Sequence, residues 1–273
     1  MAFIESSDGT RIFYEAAGEG PPLLLCPASF STHLHWVEAQ ATLSRRLAVA
    51  TWDYRGHGRS EAPEADDRYS LEKMVEDLRA VHAAVAGDEP AVVGGLSMGG
   101  LLALSYALAH PGRVRGLVLV NAGPGFKREE ARLGWQKMLE SAARKMERDG
   151  LEAYLKGSRA REQLVGLKPD SEGARQAVGG ILQSSVAGLT RFARHIAGPI
   201  PNLVDELHRI EAPTLILVGE QDATFQRAAE VMEAKLPSAR RVVIPDAGHV
   251  LNLDQPEAFA SQVEAFLERV GCL

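Results

Sequence analysis

Ser97 has a glycine two residues before it and another two residues after it, in Gly95-Leu96-Ser97-Met98-Gly99. The apolar β-branched pair Val92-Val93 runs into the motif, and Leu101-Leu102-Ala103-Leu104 opens a helical pattern behind it. A strand, a tight turn and a helix that meet at one serine form the setting of a nucleophile elbow. Such a turn strains the serine backbone and points the hydroxyl beyond the carboxyl edge of the sheet. Side chains at Gly95 and Gly99 would collide with the neighbouring strand and helix, so glycine is required on steric grounds. The helix N-terminus beneath favours developing negative charge. The plainer alternative is a glycine-rich strand-to-helix turn with an idle serine.

A serine hydroxyl is a weak nucleophile near neutral pH; it needs a base within hydrogen-bond reach and a carboxylate that orients the base. Open parallel sheets bind ligands beyond the carboxyl ends of their strands, which directs attention to the residues just past the last two strands. Leu215-Ile216-Leu217-Val218 leads into Gly219-Glu220-Gln221-Asp222, and Val242-Val243-Ile244 leads into Pro245-Asp246-Ala247-Gly248-His249. Asp222 and His249 are the candidate orienting acid and base, in the chain order Ser, Asp, His. Asp222 has rivals in Glu220 and Asp246 and could instead cap the next helix; His249 could be a buried structural histidine. An oxyanion also needs backbone donors. These are expected from the N–H of Met98, next to the nucleophile, and from that of Ser29 in the loop Pro27-Ala28-Ser29, with Ala28 as the alternative. Phe30, Trp36, Phe126, Trp135 and Val250 are the candidate substrate-binding walls. His33 and His35 border the pocket but make a poor metal site, and His57, in a turn, is read as a structural hydrogen-bonding residue. No metal is expected, and this chemistry needs no organic cofactor.

These residues have to be held by a sheet. Phe3–Glu5 and Thr10–Ala16 read as a hairpin around Ser7-Asp8-Gly9. Leu23–Cys26, Ala48–Trp52, Val92–Gly95, Val114–Val120, Pro213–Val218 and Arg241–Ile244 read as further strands, several of them wholly apolar as strands buried on both faces are. Helical patterns at Trp36–Leu47, Leu71–Val85, Leu101–His110, Phe225–Leu236 and Pro256–Val270 alternate with them, with Ser70 as an N-cap. That alternation implies parallel pairing through right-handed crossovers. From Phe126 to about Arg209 no strand pattern occurs; helical patterns at Glu129–Arg148, Leu151–Leu155, Arg175–Ser185 and Thr190–Ile196 replace it. The fold class expected is α/β: a mostly parallel, doubly wound, eight-stranded sheet with a helical lid inserted after the sixth strand. Residues 1–125 and 210–273 form the core and 126–209 the cap.

Composition narrows the function classes. The 273 residues carry a net charge of -6 and no Lys/Arg block, which argues against a nucleic-acid partner. No apolar run is long enough for a membrane span, and the start Met1-Ala2-Phe3-Ile4-Glu5 does not read as a signal peptide. The two cysteines, Cys26 and Cys272, read as free thiols in a reducing compartment, so a cytoplasmic location is expected.

Taken together, the chain resembles α/β-hydrolase fold serine hydrolases over nearly its whole length. Asp53-Tyr54-Arg55-Gly56-His57-Gly58-Arg59-Ser60 is similar to that family's D-x-R-G-x-G-x-S loop, and Gly20–Cys26 resembles the strand that leads to its His-Gly oxyanion motif. Gly95–Gly100, Gly219-Glu220-Gln221-Asp222 and Gly248-His249 complete the set. The elbow and Asp254-Gln255-Pro256-Glu257 resemble those of small carboxylesterases, 3-oxoadipate enol-lactonases and cofactor-free haloperoxidases. The chain departs from the family at Pro27-Ala28, where His-Gly is usual. The resemblance implies hydrolysis of a small carboxylic ester or lactone through an acyl-enzyme. Alternatives on the same fold are a C–C bond hydrolase or lyase and a perhydrolase or haloperoxidase; a more distant one is a ligand-binding receptor that retains the triad.

Overall fold

A computed structural model of the protein describes residues 2–273, so Met1 of the expected core segment lies outside the described residues. Eight strands form one sheet: β1 (Ala2–Glu5), β2 (Arg11–Ala17), β3 (Pro22–Cys26), β4 (Ala48–Trp52), β5 (Ala91–Leu96), β6 (Val114–Val120), β7 (Thr214–Gly219) and β8 (Ala239–Ile244). Their spatial order is β1-β2-β4-β3-β5-β6-β7-β8. β1 pairs with β2, and β2 with β4, antiparallel; the remaining pairs are parallel. The chain therefore has the α/β architecture expected of it.

Period-two alternation splits the apolar strands between two cores. Leu24 and Cys26 of β3, with Leu117 and Leu119 of β6, face α2 (Leu71–Ala86) and α3 (Met98–Ala109). Leu23 and Leu25, with Val118 and Val120, face α1 (Val37–Leu43) and, near the C-terminus, the helix Pro256–Arg269. Covering both faces is what makes these strands continuously hydrophobic.

Between β6 and β7 come four helices: α4 (Glu129–Leu155), broken at Gly150, then α5 (Ser158–Val165), α6 (Glu172–Leu182) and α7 (Val186–Phe192), which runs on into a π-helical turn at Ala193–Ala197. The sequence pattern missed α5 and carried the helix beginning at Arg175 on to Ser185. In the structure Ser185 caps α7 instead, accepting the Gly188 N–H at 3.1 Å. The helix expected over Trp36–Leu47 is shorter, since a 3-10 turn occupies His33–Trp36 and α1 ends at Leu43. After β7 come α8 (Ala223–Lys235), β8, the single turn α9 (Leu251–Asp254) and α10 (Pro256–Arg269). Among the described residues no helix is long and apolar enough to cross a membrane.

Candidate active site

Ser97 is the last residue before α3 and has φ 55° and ψ −111°, in the left-handed half of backbone space. Two close approaches impose that turn. A Cβ on Gly95 would lie 2.2 Å from the Gly99 carbonyl carbon, and one on Gly99 would lie 2.3 Å from the Cys26 carbonyl oxygen. β5, α3 and the end of β3 are thus packed backbone to backbone around the serine. Met98 opens the helix, and the first N–H groups of a helix have no intrahelical acceptor.

Asp222 and His249 follow β7 and β8. The Asp222 Oδ2 and His249 Nδ1 lie 2.7 Å apart, and both residues are buried. An ionised carboxylate only accepts, so Nδ1 carries the ring proton and Nε2 keeps its lone pair. Asp222 precedes α8, yet its side chain makes no capping hydrogen bond to it. The rival carboxylates Glu220 and Asp246 are exposed, and Glu220 accepts the Asp246 N–H at 3.3 Å. The Phe225 ring stacks on His249 with centroids 5.0 Å apart.

Two buried side chains hold the histidine loop. Asn121, at the end of β6 with φ 41°, donates through Nδ2 to the carbonyls of Gly248 (2.9 Å) and His249 (2.8 Å) and accepts the Gly219 N–H at 2.9 Å. Asp254 accepts the N–H groups of Gly248 (2.8 Å) and of Leu167, in the segment between β6 and β7 (2.6 Å). Burial raises the Asp254 pKa, against those two N–H groups, which lower it. His35 adds a further tie: its Nε2 donates to the Leu164 carbonyl of α5 at 2.8 Å. Burial pushes the His35 pKa down to about 4, so the ring is neutral and suited to that single donor role.

A cavity of about 580 Å³ opens over Ser97 and His249. Ala28, Ser29 and Phe30 line one side, Thr224 and Phe225 another, and Trp135, Leu139 and Tyr154 of α4 a third. α5 adds Arg159 and Leu164. A more open groove of about 720 Å³ runs along the outer face of α4. It holds none of the three candidate residues, and its Arg194 is already paired with Glu140 (2.9 Å) and Glu147 (2.6 Å). The inner cavity is the one with reactive groups.

The alpha/beta hydrolase fold family matches residues 21–256. The chain is an alpha/beta hydrolase. A Bacillus subtilis (strain 168) protein named for 2-succinyl-6-hydroxy-2,4-cyclohexadiene-1-carboxylate synthase activity is 31% identical to it, over 98% of each chain. The 3-oxoadipate enol-lactonase 1 of Acinetobacter baylyi is 27% identical over 92% of this alpha/beta hydrolase and 91% of the relative. A thermophilic esterase from Thermogutta terrifontis, in its malate-bound structure, superposes with a TM-score of 0.86 at 25% identity, covering 99% of both chains.

Of the wall residues expected in this alpha/beta hydrolase, Phe30 and Trp135 line the cavity. Phe126 stands one layer back, its ring 5.8 Å from that of Trp135. Trp36 and Val250 do not reach the cavity: both are fully buried in the second core, Trp36 against Phe259 of α10 at 5.6 Å. Proximity in sequence to Ser29 and His249 suggested them, but the turn at each position sends the side chain to the far face. His33 is tied to Asp53, its Nδ1 2.8 Å from Oδ1, and does not line the cavity. Asn121 was missed as a functional residue. It stands out in the sequence only as the polar residue that ends an apolar strand.

Proposed function

We propose that this alpha/beta hydrolase cleaves a carboxylic ester or lactone through Ser97, His249 and Asp222. The observation that carries the reading is the 2.7 Å Asp222–His249 pair opening onto the same cavity as the left-handed Ser97. His249 Nε2 takes the Ser97 hydroxyl proton as Oγ attacks the substrate carbonyl. The Met98 and Ser29 N–H groups receive the oxyanion. His249 returns the proton to the departing alcohol, and the same nitrogen then activates the water that cleaves the acyl-enzyme, while Asp222 holds the ring in the required tautomer. Similarity to an esterase and an enol-lactonase supports this substrate class. Residues 126–209 act as a lid over the core of residues 1–125 and 210–273; the α4 and α5 residues on the cavity wall support that role. A cytoplasmic location fits the two free, buried cysteines.

A second reading is a lyase that uses the same three residues without an acyl-enzyme, favoured by the 31% identity to a relative named as a synthase. A kinetic panel separates the two: p-nitrophenyl esters of rising chain length, γ-lactones and an enol-lactone. Turnover of esters and lactones, ranked by kcat/KM, supports hydrolysis. No measurable turnover of any of them, by a folded protein, overturns it in favour of the lyase.

A further inference from the structure

Pro27–Phe30 forms the wall of the cavity from which the Ser29 N–H is taken as an oxyanion donor, and two side chains grip it from behind. Tyr54 Oη donates to the Pro27 carbonyl at 2.5 Å, and the Phe30 N–H donates to His57 Nε2 at 3.2 Å. Phe30 needs such a grip. Its φ is 62°, a left-handed conformation that a bulky residue adopts only when its surroundings impose it. No glycine is available to take up the turn, because Pro27-Ala28-Ser29 precedes it.

One state of the His57 ring meets these demands. Its Nδ1 lies 3.2 Å from the Arg55 carbonyl, which can only accept, so the proton sits on Nδ1 and the Nε2 lone pair faces Phe30. Burial pushes the His57 pKa down to about 4, against the Arg55 carbonyl and the Asp53 carboxylate, and keeps the ring neutral. The ring is wedged between Tyr54 (5.5 Å) and Phe192 of α7 (4.5 Å), both edge-on. It is therefore fixed in place as well as in tautomer.

We propose that His57 is a positioning residue for the oxyanion site: its Nε2 holds Phe30 in the left-handed conformation and so aims the neighbouring Ser29 N–H into the cavity above Ser97. The proposal rests on the acyl-transfer reading and adds to it a residue that touches no substrate.

Two variants test it. His57→Phe keeps a ring against Phe192 and Tyr54 but has no acceptor; His57→Gln restores one. With p-nitrophenyl butyrate, His57→Phe is expected to lose roughly 10- to 100-fold in kcat with KM within about twofold, the signature of an interaction that matters in the transition state. A trifluoromethyl ketone, whose serine adduct carries an oxyanion, should weaken by a similar factor, and His57→Gln should recover most of both. A folded His57→Phe with unchanged kcat and ketone affinity overturns the proposal. Histidine ¹⁵N NMR of the wild-type protein provides an independent arm if a variant fails to fold or if Ser97 is never acylated. A neutral His57 ring protonated at Nδ1 supports the proposal; a ring protonated at Nε2, or charged at neutral pH, overturns it.

Discussion

The Asp222 carboxylate stands at the N-terminal end of α8 yet leaves that helix uncapped and meets His249 Nδ1 at 2.7 Å. A helix end would gain about 1 kcal/mol from an aspartate cap; here the carboxylate is given to an imidazole instead, as the proposed triad requires. Asp222→Asn tests this. An amide can donate to Nδ1 and so favours the tautomer with Nε2 protonated, which leaves no base for Ser97. A loss of about 10⁴ in kcat is expected, with the fold retained. Retention of a tenth of wild-type kcat would remove Asp222 from its assigned role.

The elbow makes a steric prediction with an internal control. A Cβ at Gly99 would sit 2.3 Å from the Cys26 carbonyl oxygen, whereas one at Gly134, in α4, meets nothing within 4 Å. Gly99→Ala should therefore destabilise the protein by about 1–3 kcal/mol or more, as forced overpacking does. Gly134→Ala should stabilise it by roughly 0.5–1 kcal/mol, because alanine is the better helix residue. Urea unfolding of the two variants gives both signs in one experiment.

Arg55 is fully buried and forked onto Asp77, with Nε and Nη2 at 2.7 and 2.6 Å from its two carboxylate oxygens; Nη1 meets Asp8 at 2.9 Å. Removing one member strands a buried charge. Arg55→Leu and Asp77→Leu should each cost roughly 3–5 kcal/mol, and the double variant should cost clearly less than their sum. Additive losses in denaturant titrations would mean that the two residues are not coupled.

The buried histidines set an acid limb on stability. Burial pushes His35 and His57 down to about 4 from 6.5, so the unfolded chain takes up these protons at a higher pH than the folded one. The stability that these two neutral rings supply is then fully present above about pH 6.5, falls as the pH drops towards 4, and is gone below that. Each ring accounts for about 3 kcal/mol of the decline. His82 and His110, also lowered by burial, act in the same direction. Urea unfolding at pH 7 and pH 4.5 measures the difference; equal stability at the two values would show that these rings are not held neutral.

Much of this arrangement could be read from the chain. The inner strands β3 to β7 stand out because both of their faces are buried, the opening hairpin by its turn residues, Ser97 by its flanking glycines, and Asp222 and His249 by their places a few residues past a strand end. What escaped reading depends on contacts between distant segments. Asn121 acts through Gly219 and Gly248, which come to it only when β6, β7 and the histidine loop assemble. α5 has few apolar positions and no side-chain cap at Gly157, so its packing on α6 and α4, not its pattern, makes it a helix. Trp36 and Val250 were misplaced because adjacency to a site residue says nothing about which face of an element a side chain takes.

The decisive measurement is the mass of the protein trapped during turnover. After incubation with p-nitrophenyl butyrate and an acid quench, mass spectrometry should find one butyryl group per chain, on the peptide that contains Ser97. Ser97→Ala should carry no such group and turn over essentially no ester. A butyryl group on another residue, or ester turnover by Ser97→Ala above a tenth of the wild-type rate, would overturn the assignment of Ser97 as the nucleophile.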